Sequence, residues 1–326
     1  MAPFRLAHLS DPHLGPLPAV RLRQLGSKRA LGYLNWRRSR ASALGSAELV
    51  RLVADLLDQR PDHIAVTGDL VNIALPDEIR TAGAWLSALG TPDRVSVVPG
   101  NHDAYVPGAL RQATAAWGAF MRSDDGVCTY VDDDRGDPTA GEDGKPPAMR
   151  GRRVSAAVPF PFLRVRGEVA IVGVSSAIAT APFSARGAFR QPQAARLADM
   201  LRAAGARGLF RVVLVHHPPI DALTGPHKRM IGSRRFLDVI DAAGAELILH
   251  GHTHEPTIAW AGDGGRVPVV CVPSASSLGL TSPRARYNII EIAGGGGAGR
   301  RGCAVIERGA TGDSDRIVEI ARHVLA

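Results

Sequence analysis

Five short motifs hold most of the residues that could do chemistry: Asp11-Pro-His13, Gly68-Asp69, Gly100-Asn101-His102-Asp103, His216-His217-Pro218 and His250-Gly251-His252-Thr253-His254. Seven of the eleven histidines lie inside them. Imidazole, carboxylate and amide oxygen without thiolate suit divalent zinc, manganese, iron or nickel better than a softer ion. The set is too large for one ion. Two ions ~3.5–4 Å apart need a bridging carboxylate and about three further groups each, and these motifs can provide that number. Asp11 and His13, two residues apart at a strand end, can point to the same side. Glycine before Asp69, Asn101 and His252 allows a sharp turn and a close approach of the backbone to the ions.

The elements that must position these groups are legible as apolar runs. Phe4–Leu9, His63–Thr67, Val95–Val98, Val212–Val215 and Glu246–Leu249 each precede one motif, and Ala170–Val174 is a further run of the same kind. They are short, rich in Val, Ile and Leu, and end in turn residues, as buried strands do. Helical patterns lie between them. Ser46–Gln59 places Leu49, Leu52, Val53, Leu56 and Leu57 on one face behind a Ser46 N-cap. Pro76–Leu89, Gly108–Met121, Pro192–Ala204 and Ser233–Ala243 read the same way. Alternation through residue 254 argues an α/β fold whose strand ends converge on one crevice. Beyond it, Val267–Val272, Ala285–Ile292 and Arg301–Arg308 read as strands without helices, so a mixed sheet ending in a β-meander is expected. A lone histidine or aspartate is more often a satisfied core or turn residue. That structural reading is kept for His8, His63, His227 and His323, but five loops in this order, each after a strand, are another matter.

Composition bounds the function class. With 326 residues, 45% hydrophobic and a mean hydropathy near zero, the chain can bury a large core, which excludes disordered and collagen-like proteins. Aromatic residues are only 5%, so a nucleic-acid surface built on base stacking is disfavoured. The net charge of +8 is unevenly spread. Residues 124–143 carry eight acidic residues against Arg135, whereas Arg21, Arg23, Lys28, Arg29, Arg37, Arg38 and Arg40 have no acidic neighbour between His13 and Glu48. We therefore expect a single domain over 1–326, with a basic insertion at 16–45 and an acidic exposed loop at 123–153. Cys128, Cys271 and Cys303 fit no paired spacing and suggest buried thiols in a reducing compartment. The first motif leaves no room for a signal peptide and no apolar run reaches ~18 residues. A cytoplasmic protein is expected, with a possible peripheral place at the inner membrane face.

The motif series, in this order, resembles the calcineurin-like metallophosphoesterase superfamily over roughly residues 4 to 292. The resemblance implies a four-layer α/β/β/α sandwich of two mixed sheets flanked by helices, with the site at one sheet edge. It implies two divalent ions (manganese, iron or zinc), the first held by Asp11, His13, Asp69 and His254. The second is held by Asp69 as the bridge, Asn101, His216 and His252. His102 is then the unliganded catalytic histidine facing the substrate, with Asp103 orienting it. His217 and His250 lie beside better-placed ligands and are read as supporting residues.

The expected reaction is hydrolysis of a phosphoester, a diester rather than a monoester, by a bridging hydroxide acidified by the two ions. His102 stabilises charge or protonates the leaving oxygen. Two alternatives stand beside a soluble phosphodiesterase similar to the class III cyclic-nucleotide enzymes. One is a membrane-surface hydrolase of a lipid-linked phosphoester or pyrophosphate, as in the UDP-2,3-diacylglucosamine hydrolases, with the insertion's cations meeting anionic headgroups. The other is a non-catalytic scaffold, which the full ligand set disfavours. The partner is an anionic phosphoester, and nucleic acid is disfavoured.

Overall fold

The computed structural model describes residues 2–26, 28–40, 43–124, 160–294, 302–311 and 315–325, without the side chains of residues 39 and 40. Two six-stranded sheets carry the chain. The first contains β1 (Phe4–Leu9), β2 (His63–Val66) and β3 (Val95–Val97) in parallel, then β12 (Arg286–Ile292), β13 (Cys303–Ala310) and β14 (Ile317–Val324) antiparallel on the other side of β1. The second has β5 (Val169–Gly173), β7 (Phe210–Leu214), β9 (Leu247–His250) and β11 (Val267–Cys271) in parallel. Its edges, β4 (Phe162–Arg166) and β10 (Thr257–Ala261), are antiparallel. A short pair, β6 (Gly187–Ala188) and β8 (Met230–Ile231), lies apart.

Strand alternation assigns the layers. On the second sheet Ile171, Val212, Leu214, Leu247 and Leu249 join the core shared with the first sheet. Their neighbours Ala170, Val172, Val213 and Ile248 pack instead with α5 (Gln191–Ala206) and α6 (Ser233–Ala243). The helices α2 (Ser46–Asp58), α3 (Pro76–Leu89) and α4 (Ala109–Trp117) cover the first sheet. The result is the α/β/β/α sandwich. Helix α2 turns Leu49, Leu52 and Leu56 inward at the i, i+3, i+7 spacing of an apolar stripe. Each buried leucine contributes roughly 1.5–3 kcal/mol, so Leu52→Ala, with its cavity, costs about 2–5 kcal/mol.

Several expectations change. The meander exists, but β12 pairs with β1, so the chain closes two sheets rather than extending one. Ser46 is the first helical residue of α2 and Gly45 is the cap. Residues 118–121 continue α4 as a tighter helical turn rather than as α-helix. The acidic segment beyond residue 124 and Cys128 lie outside the described residues. Cys271 and Cys303 are free and buried. Among the described residues, no helix is long and apolar enough to cross a membrane.

Candidate metal centre

All five motifs sit at the carboxyl ends of parallel strands, where the two sheets meet. The first sheet delivers Asp11 and His13 after β1, Asp69 after β2, and Asn101, His102 and Asp103 after β3. The second delivers His216 after β7 and His252 and His254 after β9. Among the described residues eight non-glycines have positive φ, and five of them are Asp11, His13, Asp69, His252 and His254. Such backbone costs about 1–3 kcal/mol per residue and persists only where the surroundings over-determine it. Here they do. Asp11 N–H donates to Gly68 O at 3.0 Å and His13 N–H to Asp69 O at 3.1 Å. His252 N–H donates to Asp11 Oδ2 at 3.0 Å, a bond between the two sheets.

The glycines make room where the motif loops meet. A Cβ on Gly100 would strike the Asp69 carboxylate, and one on Gly251 would strike Ser10 Oγ and Asp11 Oδ2. They let motif loops approach one another, and Gly68, at φ +96, additionally needs glycine for its own backbone.

Side-chain donors converge from both sheets. His254 Nε2 lies 3.1 Å from Asp11 Oδ1, and His13 Nε2 lies 3.9 Å from the same atom. Asp69 Oδ2 is 3.9 Å from His13 Nε2 and 3.4 Å from His216 Nε2, so one carboxylate oxygen stands between the two histidine sets. Asn101 Oδ1 is 3.3 Å from His216 Nε2. Triads within mutual reach of 4.8 Å overlap: Asp11–His13–His254, Asp11–Asp69–His216, His13–Asp69–His102 and His216–His217–His252. The far nitrogens are anchored, as in histidine ligands whose other ring nitrogen fixes tautomer and orientation. His13 Nδ1 meets Val71 O at 3.2 Å, His216 Nδ1 meets Thr67 O at 2.6 Å and His252 Nε2 meets Lys228 O at 3.0 Å. Hard carboxylate and amide oxygens with imidazoles, in overlapping triads, fit a pair of divalent ions.

Electrostatics agree with that donor set. Burial opposes charge on Asp11, but His254, His216 and His13 hold its pKa well below the ordinary range. Asp69 is lowered too, because His216 outweighs its burial. Burial likewise opposes charge on His216, yet Asp69 and Asp11 raise it to about 9. Burial and then His217 push His252 well down, so its imidazole is neutral. A metal exchanging for the His216 proton would release it to solvent, the usual coupling of ligation to deprotonation.

The Asp103 carboxylate is engaged with backbone groups. It is buried and accepts backbone N–H groups of Asp69 (2.9 Å), Leu70 (2.9 Å), Val71 (3.3 Å) and Gly100 (2.8 Å), so it locks the Asp69 turn. His102 Nδ1 faces the carbonyl of Asn72. His217 has Nδ1 on Ser176 Oγ at 2.7 Å and Nε2 on Ala185 O at 3.1 Å, so both ring nitrogens are engaged. His250 bonds Gly251 O and joins none of the triads. His8 and His63 are buried core residues on Thr67 and Ser96.

Sequence reasoning missed several supports. Ser10 and Ser274 hydroxyls donate to Asp11, at its Oδ2 and its carbonyl. Glu78 accepts the N–H groups of Asn72 (2.7 Å), Ile73 (3.2 Å) and Leu75 (2.9 Å), pinning the turn after Asp69 to the start of α3. A glutamate three residues into a helix that begins Leu-Pro could have been read as a capping residue. Nothing in their spacing marks the serines. A cleft of about 260 Å³ opens over the donors, lined also by Leu44, Lys228, Thr281 and Ser282.

Comparison with known proteins agrees. The glycerophosphodiester phosphodiesterase GpdQ of Enterobacter lignolyticus is 32% identical over 98 residues, a match spanning 30% of this chain and 29% of that enzyme. A dimetal phosphatase from Danio rerio superposes over 100% of this chain and 99% of its own, with TM-score 0.59 at 12% identity. The purple acid phosphatase PPD1 from yellow lupin (Lupinus luteus) covers 98% of this chain, which spans only 53% of that protein, with TM-score 0.53 at 10% identity. These two likenesses are of fold. Residues 4–256 match the calcineurin-like phosphoesterase family, and the chain belongs to that family of phosphoester hydrolases.

Proposed function

We propose that the chain is a phosphodiesterase that works with two divalent ions, manganese, iron or zinc by the chemistry of the donors. Asp11, His13, Asp69 and His254 hold the first ion, and Asp69, Asn101, His216 and His252 the second. The observation that carries this reading is the overlap of Asp/His triads around Asp11 and Asp69, with one Asp69 oxygen between His13 and His216. When bound, the ions supply Lewis acidity toward the phosphoryl oxygens and acidify a water nucleophile.

The chain's own residues do the rest. His102 lines the cleft, and its Nδ1 is held by Asn72 O. Proton exchange with substrate therefore falls to Nε2, which gives its proton to the leaving oxygen as the phosphorus–oxygen bond breaks. Asp103 keeps the Asp69 turn in register through its four backbone bonds. Lys228 and the Thr281 and Ser282 hydroxyls offer a polar wall to an anionic ester. Preference for a diester is supported by the likeness to GpdQ. The test is turnover of bis(para-nitrophenyl) phosphate against para-nitrophenyl phosphate by the manganese-reconstituted protein. The diester should be hydrolysed faster in kcat/KM. A monoester preference would overturn the diesterase reading.

One observation favours a membrane-surface version of the same chemistry. Phe183 (88% exposed) and Leu280 (68%) lie within two residues of the cleft-lining Ala185 and Thr281, and Leu22 (89%) lies on the segment leading to Lys28. The segments touch: Lys28 Nζ donates to Thr180 Oγ1 and Ser184 O, and Leu278 N–H donates to Ala43 O. An apolar rim with Arg21, Arg23 and Arg38 nearby in the chain suits an anionic lipid surface. Co-sedimentation with phosphatidylglycerol vesicles, wild type against a Leu22→Ser/Phe183→Ser/Leu280→Ser triple variant, tests it. Equal pelleting of both, or of neither, sinks this version.

A further inference from the structure

The basic insertion contains α1 (Lys28–Asn35), and its inward contacts are specific. Lys28 Nζ donates to Thr180 Oγ1 at 2.7 Å and to Ser184 O at 2.9 Å, and stands 4.7 Å from the ring centroid of Tyr105. One turn on, Gly32 brings the helix backbone against the same residue, since a Cβ there would strike the Tyr105 hydroxyl and Ile73. Arg29 donates to the carbonyls of Ile73 at 3.1 Å and Ala74 at 2.5 Å, in the turn that also presents Asn72 O to His102. Tyr105 is buried and stacks on the His102 imidazole, with centroids 5.4 Å apart and planes 21° apart. A cation and a glycine face therefore converge on Tyr105, and a guanidinium on the turn that carries Asn72, while His13 meets the His102 ring edge-on with centroids 4.9 Å apart.

We propose that α1 is a positioning element for His102, acting through Tyr105, and that Lys28 and Tyr105 are positioning residues for protonation of the leaving group. The inference rests on the reading of His102 as the leaving-group acid. A general acid contributes only if its proton is aimed, and a displacement near 1 Å costs about 10²-fold. The ring fixes the imidazole plane. Lys28 fixes the ring by a cation–π contact and ties it to the loop around Thr180 and Ser184. The residue at 28 is one of only three lysines among 39 basic residues. The insertion is thus part of the active-site wall, and two of its cations already have inward partners.

The test uses the manganese-loaded protein and two diesters, methyl para-nitrophenyl phosphate and methyl phenyl phosphate. The nitrophenolate leaves without help, whereas the phenolate needs a proton. His102→Ala should lose far more kcat on the phenyl ester than on the nitrophenyl ester. Tyr105→Leu and Lys28→Met should show the same asymmetry, with kcat on the phenyl ester down about tenfold and KM within about twofold. Lys28→Arg and Tyr105→Phe, which keep the cation and the ring, should restore it. If Tyr105→Leu and Lys28→Met lower both esters equally, or neither, while His102→Ala discriminates, the positioning role is wrong. If His102→Ala itself fails to discriminate, the acid reading falls and the positioning role with it. The metal-free protein gives a second readout. The Tyr105 ring current should shift the His102 Cε1–H resonance upfield, and Lys28→Met should move that signal. An unmoved signal contradicts the contact.

Discussion

At the strand ends, Asp11, His13, Asp69, Asn101, His216 and His252 are all buried, and two bonds cross between the sheets there, from His252 N–H to Asp11 Oδ2 and between His216 Nδ1 and Thr67 O. In the insertion, none of the described residues from 16 to 38 is buried, and its cations reach inward at the Thr180 hydroxyl, a few carbonyls and one ring. Both regions line or flank the same cleft. The first is dictated by local chain: a strand, a tight turn, a ligand. The second is dictated by what it docks on, Tyr105 and the turn at Ile73 and Ala74, which no pattern within the insertion specifies. The donor geometry is built on the two sheets, and the insertion is docked onto it from outside.

The sharpest way to break this contrast is at its rigid end. Asp69→Ala removes the oxygen that stands between His13 and His216, and with it several kcal/mol of charge stabilisation. Elemental analysis should find the protein metal-poor and assays should find activity down by about 10³-fold or more. Retained metal with full turnover would mean that Asp69 bridges nothing. Gly251→Ala comes next, because its methyl collides with Ser10 Oγ and Asp11 Oδ2 across the sheet junction. We expect a loss of about 1–3 kcal/mol in stability, read as a lower Tm, and about 10²-fold in kcat from a displaced Asp11. An unchanged Tm would show the junction to be loose.

A smaller effect tests the rigid core away from the donors. Burial, then Arg166 and Arg164, lower the pKa of His63 to about 3 from 6.5. The unfolded chain therefore binds a proton that the folded one refuses between those values. The His63 contribution is fully present above pH 6.5 and is lost as pH falls toward 3. The slope is at most about 1.4 kcal/mol per pH unit. His63→Gln should flatten the fall in denaturant midpoint between neutral and acid pH, and an unchanged slope would refute the assignment. Smallest of all, Arg23→Ala on the open face of the insertion should change stability by no more than about 0.5 kcal/mol. A larger drop in Tm would show that this face is not the solvated surface it looks.

Much of this was legible beforehand, for identifiable reasons. The runs ending at Leu9, Val98 and Leu249 read as strands because both sheet faces are covered, so most of their residues are apolar, with Arg5, His8 and Ser96 among the exceptions. Strand β4 was missed because Arg164 and Arg166 interrupt its pattern. Arg164 is nonetheless buried, donating to Arg122 O (2.9 Å), Val95 O (2.7 Å) and Ala119 O (2.8 Å), a solution visible only in three dimensions. Strand β14 lies at the sheet edge with only Ile317 buried, so its residues carry no clear apolar alternation. Within the site, residue types marked the Asp and His side chains that converge from the two sheets, but they did not show which backbone groups the Asp103 carboxylate meets. Adjacency in sequence suggested His102, while its carboxylate points back to the Asp69 turn. Tyr105, three residues beyond His102, had no chemical signature of its own.

The claim beneath all of this is that Asp11 and Asp69 organise two ions. The most direct measurement is the manganese content per chain after reconstitution and desalting, made in parallel on wild type, His102→Ala and Asp69→Ala. The account predicts two ions per chain in the first two and fewer than one in the third. One ion or none in the wild type, or two in Asp69→Ala, would contradict it.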